Sequence, residues 1–170
     1  MSARQVATGL LEHDVRAALS ASGLPPRTLA LELTETALMD DAGPRNDALV
    51  ALRSVGVRLV IDDFGTGYSS LARLQRLPLD GLKIDRSFVS GLGSVAVDTA
   101  IVEAILTMAA ALRLPVVAEG VETQEQAKML RNLGCPRSQG FLHGRPMGLD
   151  ELRLRLRSED WALRPVRLSG

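Results

Sequence analysis

Two adjacent carboxylates, Asp62 and Asp63, stand in the middle of the stretch V-R-L-V-I-D-D-F-G-T-G-Y, from Val57 to Tyr68. The aliphatic residues before them suit a strand covered on both faces. Gly65 and Gly67 behind them supply a tight, unusually shaped loop. Packing gives no reason to set two acids side by side at the mouth of a buried strand. They repel unless a cation lies between them or one keeps its proton. Other polar residues recur at comparable places: Glu32 and Glu35, Lys83 and Asp85, Glu119 and Glu122, and Gln139. An oxygen-rich cluster with one lysine suits hard divalent cations, Mg²⁺ or Mn²⁺. Zinc is disfavoured, because neither His13 nor His143 belongs to the cluster.

The elements that must position these groups alternate. Ser2 with Gln5 has the form of a capping box, ahead of a helix carrying Val6, Leu10, Val15, Ala18 and Leu19. Thr28 to Leu33 reads as a strand, Gly43-Pro44 opens a helix that Gly56 closes, and the acid-bearing strand follows. Ser69 to Leu77 reads as a short helix and Leu79 to Ile84 as a third strand. Ile101, Val102, Ile105, Met108, Ala109 and Leu112 mark a long amphipathic helix. Pro115 to Ala118 is a fourth strand. Thr123 and Gln126 form a second capping box before a helix ending at Gly134. A fifth short strand is expected at Arg137 to Phe141, and a basic helix at Leu149 to Arg157. Repeated strand–helix units imply parallel strands joined by right-handed crossovers. Each polar pair then falls at a C-terminal strand end, where parallel sheets and barrels build their chemistry.

Composition narrows the rest. The 170 residues are one domain's worth, 46% hydrophobic and 3% aromatic, so the core is aliphatic. Twenty basic and twenty acidic side chains cancel, giving no ground for a nucleic-acid polymer or membrane surface as partner. No apolar run approaches the roughly 18 residues of a membrane span. The N-terminus lacks the apolar core of a signal peptide. Cys135 is the lone cysteine, which excludes a disulfide framework and points to a reducing, cytoplasmic setting.

Five segments carry a family resemblance: E-L-T-E (Glu32 to Glu35), D-D-F-G-T-G (Asp62 to Gly67), K-I-D (Lys83 to Asp85), A-E-G-V-E (Ala118 to Glu122) and Q-G (Gln139-Gly140). In order and spacing the chain resembles, over nearly its whole length, the EAL family of bacterial phosphodiesterases that linearise cyclic di-GMP. The resemblance implies an α/β fold of the (β/α)₈ TIM-barrel type, with about five parallel βα units present here. It implies two Mg²⁺ or Mn²⁺ ions that activate water for attack on one phosphodiester, releasing pGpG. Glu32 would bind the first metal, Asp62 would bridge both, and Asp63 would bind the second. Lys83 would hold the attacking water or a phosphate oxygen. Glu119 would be the general base or a water-mediated ligand, and Gln139 would position metal-bound water. Glu35 would brace the D-D-F-G-T-G loop, with Asp85 and Glu122 supporting the ligands from behind. The Asp62–Gly67 loop and the helix after it would form a homodimer contact.

The departure is as informative. No Glu-Ala-Leu triplet occurs; Glu103-Ala104-Ile105 is a near miss inside a helix. M-S-A-R-Q looks like the continuation of a second ligand motif whose asparagine would precede Met1. The expectation is therefore a truncated EAL domain over residues 1–157 with a tail at 158–170, having too few strands for a barrel of about 250 residues. Negligible hydrolysis by this chain alone follows, with a non-catalytic cyclic di-GMP-binding or protein-interaction remnant as the alternative. An aldolase-like barrel with Lys83 as Schiff base is the remote third reading. Each residue also has a plainer role open to it: Asp62 and Asp63 as a helix cap, Lys83 in a structural salt bridge, Glu119 and Glu122 at a helix N-terminus.

Overall fold

The computed structural model describes residues 10–35, 43–67 and 71–157. The Ser2–Gln5 capping box and the 158–170 tail lie outside them. Helix α1 (Leu10–Ser22) leads through a 3₁₀ turn at Pro26–Thr28 into β1 (Ala30–Thr34). Then come α2 (Gly43–Val55), β2 (Arg58–Phe64), α3 (Leu71–Leu74), β3 (Gly81–Ile84), α4 (Arg86–Ser90), α5 (Ala96–Ala111), β4 (Val116–Ala118), α6 (Gln124–Asn132) and α7 (Leu149–Arg157). The strands form one parallel sheet in the order β1-β2-β3-β4, each neighbour joined by a helical crossover.

Aliphatic strands packed under helices explain the core. Leu33, Leu59, Ile61, Leu82 and Ile84 of the sheet are sealed from solvent. Leu49 and Leu52 of α2, Val102 and Ala109 of α5, and Ala127 and Leu130 of α6 close over them. Every residue of β3 is buried, Lys83 included. Among the described residues, no helix is long and apolar enough to cross a membrane.

Several boundaries differ from the sequence reading, each for a local reason. The first strand begins at Ala30 rather than Thr28, because Thr28 N–H donates to Pro25 C=O and closes the 3₁₀ turn. The third strand begins at Gly81 rather than Leu79, since Leu79 N–H turns back to Leu77 C=O and Asp80 is tied to β2 by its side chain as well as its N–H. Its carboxylate accepts from Leu59 N–H at 3.0 Å and pairs with Arg53 at 3.2 Å. Helix α4 was not expected at all; Asp85 caps it by accepting from Ser87 N–H at 3.0 Å. The fifth strand, expected over Arg137–Phe141, shrinks to a single parallel bridge between Ala118 and Ser138. The capping box at Thr123 and Gln126 forms with both of its hydrogen bonds, and α7 spans Leu149–Arg157 as expected.

Candidate functional site

Lys83 is the hub of the C-terminal rim. Its Nζ lies 2.9 Å from Glu32 Oε1, 3.1 Å from Asp62 Oδ1 and 2.6 Å from Glu119 Oε1. These acids come from β1, β2 and the end of β4, so the parallel topology itself brings them together. Burial alone would lower the Lys83 pKa, but its contacts with Glu119, Glu32 and Asp62 outweigh that and hold the ammonium charged well above its ordinary range. Glu119 is pushed up, chiefly by burial and then by the charges of Asp62 and Glu32; Lys83 opposes the shift without cancelling it.

Adjacent strand residues ordinarily point to opposite faces. Asp62 and Asp63 escape that rule because β2 is irregular here: Ile61 pairs with Leu82 and Phe64 with Ile84, so both acids stand against Lys83 alone. Asp63 takes a positive φ of 54°, a left-handed conformation that aspartate tolerates better than most residues. In consequence one carboxylate oxygen each from Asp62, Asp63 and Glu119 lie within 4.8 Å of one another. Burial, with the neighbouring charges of Asp62 and Asp85, raises the Asp63 pKa. Asp85 moves the other way. The Ser87 hydroxyl and backbone N–H groups stabilise its charge and outweigh burial.

The loop behind the two acids is held from the end of the neighbouring strand β1. Glu35, 3% exposed, accepts from Gly65 N–H at 3.2 Å and Gly67 N–H at 3.0 Å through Oε2. Gly65 has a φ of 101° and packs against the Phe88 ring, where a Cβ would come within 2.8 Å. A side chain at Gly67 would meet the Glu35 carboxylate at 2.9 Å.

Beside Glu119 opens a cavity of about 580 Å³, with Gln139, Glu122, Arg86 and Phe141 in its lining. Gln139 and Glu122 therefore face the site's flank, apart from the Asp62–Asp63–Glu119 set. Glu32 reaches that set through Lys83. Glu122 is exposed, and its N–H donates to Gln126 Oε1 at 2.8 Å. Arg86 and Phe141 escaped the sequence reading. Arg86 follows the K-I-D segment and Phe141 the Q-G pair, and that adjacency was the only signal of either.

The donor set fits hard divalent cations. It is all oxygen, and the buried Asp62 Oδ1 has the Lys83 ammonium 3.1 Å away as its charge partner.

Comparison with known proteins agrees with this geometry. The family model of the EAL domain matches residues 1–146. The bifunctional diguanylate cyclase/cyclic di-GMP phosphodiesterase MucR of Pseudomonas aeruginosa is 49% identical over 152 residues, 89% of this chain and 22% of that protein. The cyclic di-GMP phosphodiesterase NbdA of the same organism is 50% identical over 148 residues, 87% of this chain and 19% of NbdA. The chain thus spans about a fifth of the length of these relatives. The structure of the MucR phosphodiesterase in complex with c-di-GMP superposes with a TM-score of 0.85, covering 89% of this chain and 62% of that one. A manganese/cy-diGMP complex of BlrP1 from Klebsiella pneumoniae, 38% identical, matches with a TM-score of 0.70 over 79% of this chain and 33% of that one. The neighbours have the TIM-barrel fold, and the parallel strands and their crossovers here are units of it. By sequence and by structure, the chain belongs to the EAL domain family.

Proposed function

We propose that this rim binds cyclic di-GMP and two divalent cations, Mg²⁺ or Mn²⁺, and belongs to a phosphodiesterase that opens the dinucleotide to pGpG. The observation that carries the reading is the meeting of Glu32, Asp62 and Glu119 on Lys83, with Asp63 turned in beside them. Asp62, Asp63 and Glu32 would hold the cations, whose chemistry is to acidify a bound water and to neutralise charge on the phosphoryl oxygens. Lys83 would orient a phosphate oxygen or the attacking water by hydrogen bonding from Nζ. Glu119 would accept the proton from that water. Its raised pKa makes it a better proton acceptor than an ordinary carboxylate. Gln139 would hold a metal-bound water from the flank, while Glu35, Asp85 and Glu122 keep the loops in place. The complex of the MucR phosphodiesterase with c-di-GMP and that of BlrP1 with manganese and cy-diGMP support this reading.

We further propose that the 170-residue chain by itself binds without appreciable turnover. It contains no Glu-Ala-Leu triplet, the motif whose glutamate the family resemblance makes a metal ligand. The site would work in the cytoplasm, where Cys135 stays a buried thiol. The test incubates the purified chain with cyclic di-GMP and Mn²⁺, following binding by calorimetry and pGpG by chromatography. Metal-dependent binding with negligible pGpG is expected, and Asp62→Asn is expected to weaken binding at least tenfold. Absence of metal-dependent binding overturns the reading; release of pGpG overturns only the expected inactivity.

A further inference from the structure

The turn from Ser138 to His143 is fastened on two sides. On its inner side Gln139 N–H donates to Ala118 C=O at 2.8 Å, and Val121 N–H donates to Gln139 C=O at 3.0 Å. Leu142 N–H donates to Val121 C=O, also at 3.0 Å. Gly140 lies so close to Val121 that a Cβ there would overlap the Val121 backbone. On the outer side, Ser138 Oγ and His143 Nε2 stand 2.8 Å apart and bridge the turn. His143 N–H also donates to Gly140 C=O at 3.0 Å. Between the ends of this strut are Gln139 and Phe141, both lining the cavity beside Glu119. Arg145 backs the Phe141 ring at 4.6 Å from its centre.

We infer that His143 is a positioning residue, whose hydrogen bond to Ser138 fixes the outer side of this turn and so sets where Gln139 and Phe141 stand over the cavity. The inner bonds are all backbone bonds. They anchor the chain at Gln139 and Leu142, and Gly140 is held against Val121, which leaves the Phe141 backbone between them as the freer point. A side-chain bond that spans this point removes that freedom without adding to the core. His143 is exposed, so the bond contributes little to global stability and its effect falls on the turn. The inference rests on the reading of the rim as a cyclic di-GMP site.

The test uses the 170-residue chain with His143→Phe, His143→Gln, Ser138→Ala and the Ser138→Ala/His143→Phe double variant. Cyclic di-GMP affinity is measured by calorimetry in Ca²⁺, alongside thermal melting and amide hydrogen exchange. His143→Phe and Ser138→Ala are each expected to weaken binding about fivefold, the worth of one net hydrogen bond. The double variant should lose no more than either alone, and His143→Gln, which keeps a polar atom within reach of Ser138, should bind within about twofold of the parent. Exchange at residues 141–143 should quicken while the melting temperature holds. Unchanged affinity in His143→Phe, with or without faster exchange, overturns the inference while the functional reading stands. No binding by the parent chain overturns both.

Discussion

At the scale of single residues, one ammonium answers three carboxylates, and this balance governs how the site responds to protons and cations. Glu119 and Asp63 have folded-state pKa values above their ordinary ones, with burial as the leading cause. Such groups bind protons more tightly folded than unfolded. Their contribution to stability is complete below the unfolded pKa and is lost as pH rises through the folded one. Glu119→Gln imitates the protonated form. It is expected to match the parent in stability near pH 4 and to exceed it at pH 7, in chelator-treated protein melted by calorimetry. Lys83→Met acts oppositely, leaving three acids without their cation. A cost of about 2 kcal/mol is expected at pH 7, below that of a fully buried pair because Glu32 is half exposed. Added Mn²⁺ should restore more of the melting temperature in this variant than in the parent. These residues were legible in the sequence because each interrupts or directly follows an aliphatic strand. Their sharing of Lys83 was not, since spacing along the chain carries no distance across strands.

At the scale of elements, the placing of Asp62 and Asp63 depends on the irregularity in β2 and on the loop that Glu35 holds. Removing the Glu35 carboxylate strands two backbone donors, from Gly65 and Gly67. Glu35→Ala is expected to lower stability by about 2–3 kcal/mol and to weaken Mn²⁺ binding, read by denaturant unfolding and by calorimetry. Periodicity and capping signals located most elements. The Thr123–Gln126 box is an example: both of its partners are local, so four consecutive residues specify it. What escaped was decided by competition between local bonds. Asp85 draws Arg86–Ser90 into a helix through Ser87. The Arg137–Phe141 segment gives most of its ladder to a turn, because Gly140 bends it onto Val121 and Leu142 N–H follows. The twist of Asp63 into positive φ had no sequence signal beyond the glycines that come after it.

At the scale of the whole molecule, Leu71 at the start of α3 is 56% exposed just beyond the braced loop. We propose this surface as a homodimer contact through the Asp62–Gly67 loop and α3. Leu71→Asp is expected to shift the chain toward monomer in sedimentation experiments; an unchanged mass distribution would refute the contact. The parallel order β1-β2-β3-β4 also sorts the molecule into two hemispheres. Asp80, bonded to Leu59 N–H and Arg53, ties the strands at the end opposite Lys83. A saturation-mutagenesis library scored once for cellular abundance and once for nucleotide capture would therefore divide by latitude. Substitutions around Asp80 should deplete the soluble pool, whereas those around Asp62 and Glu119 should leave well-folded chains that no longer retain the ligand.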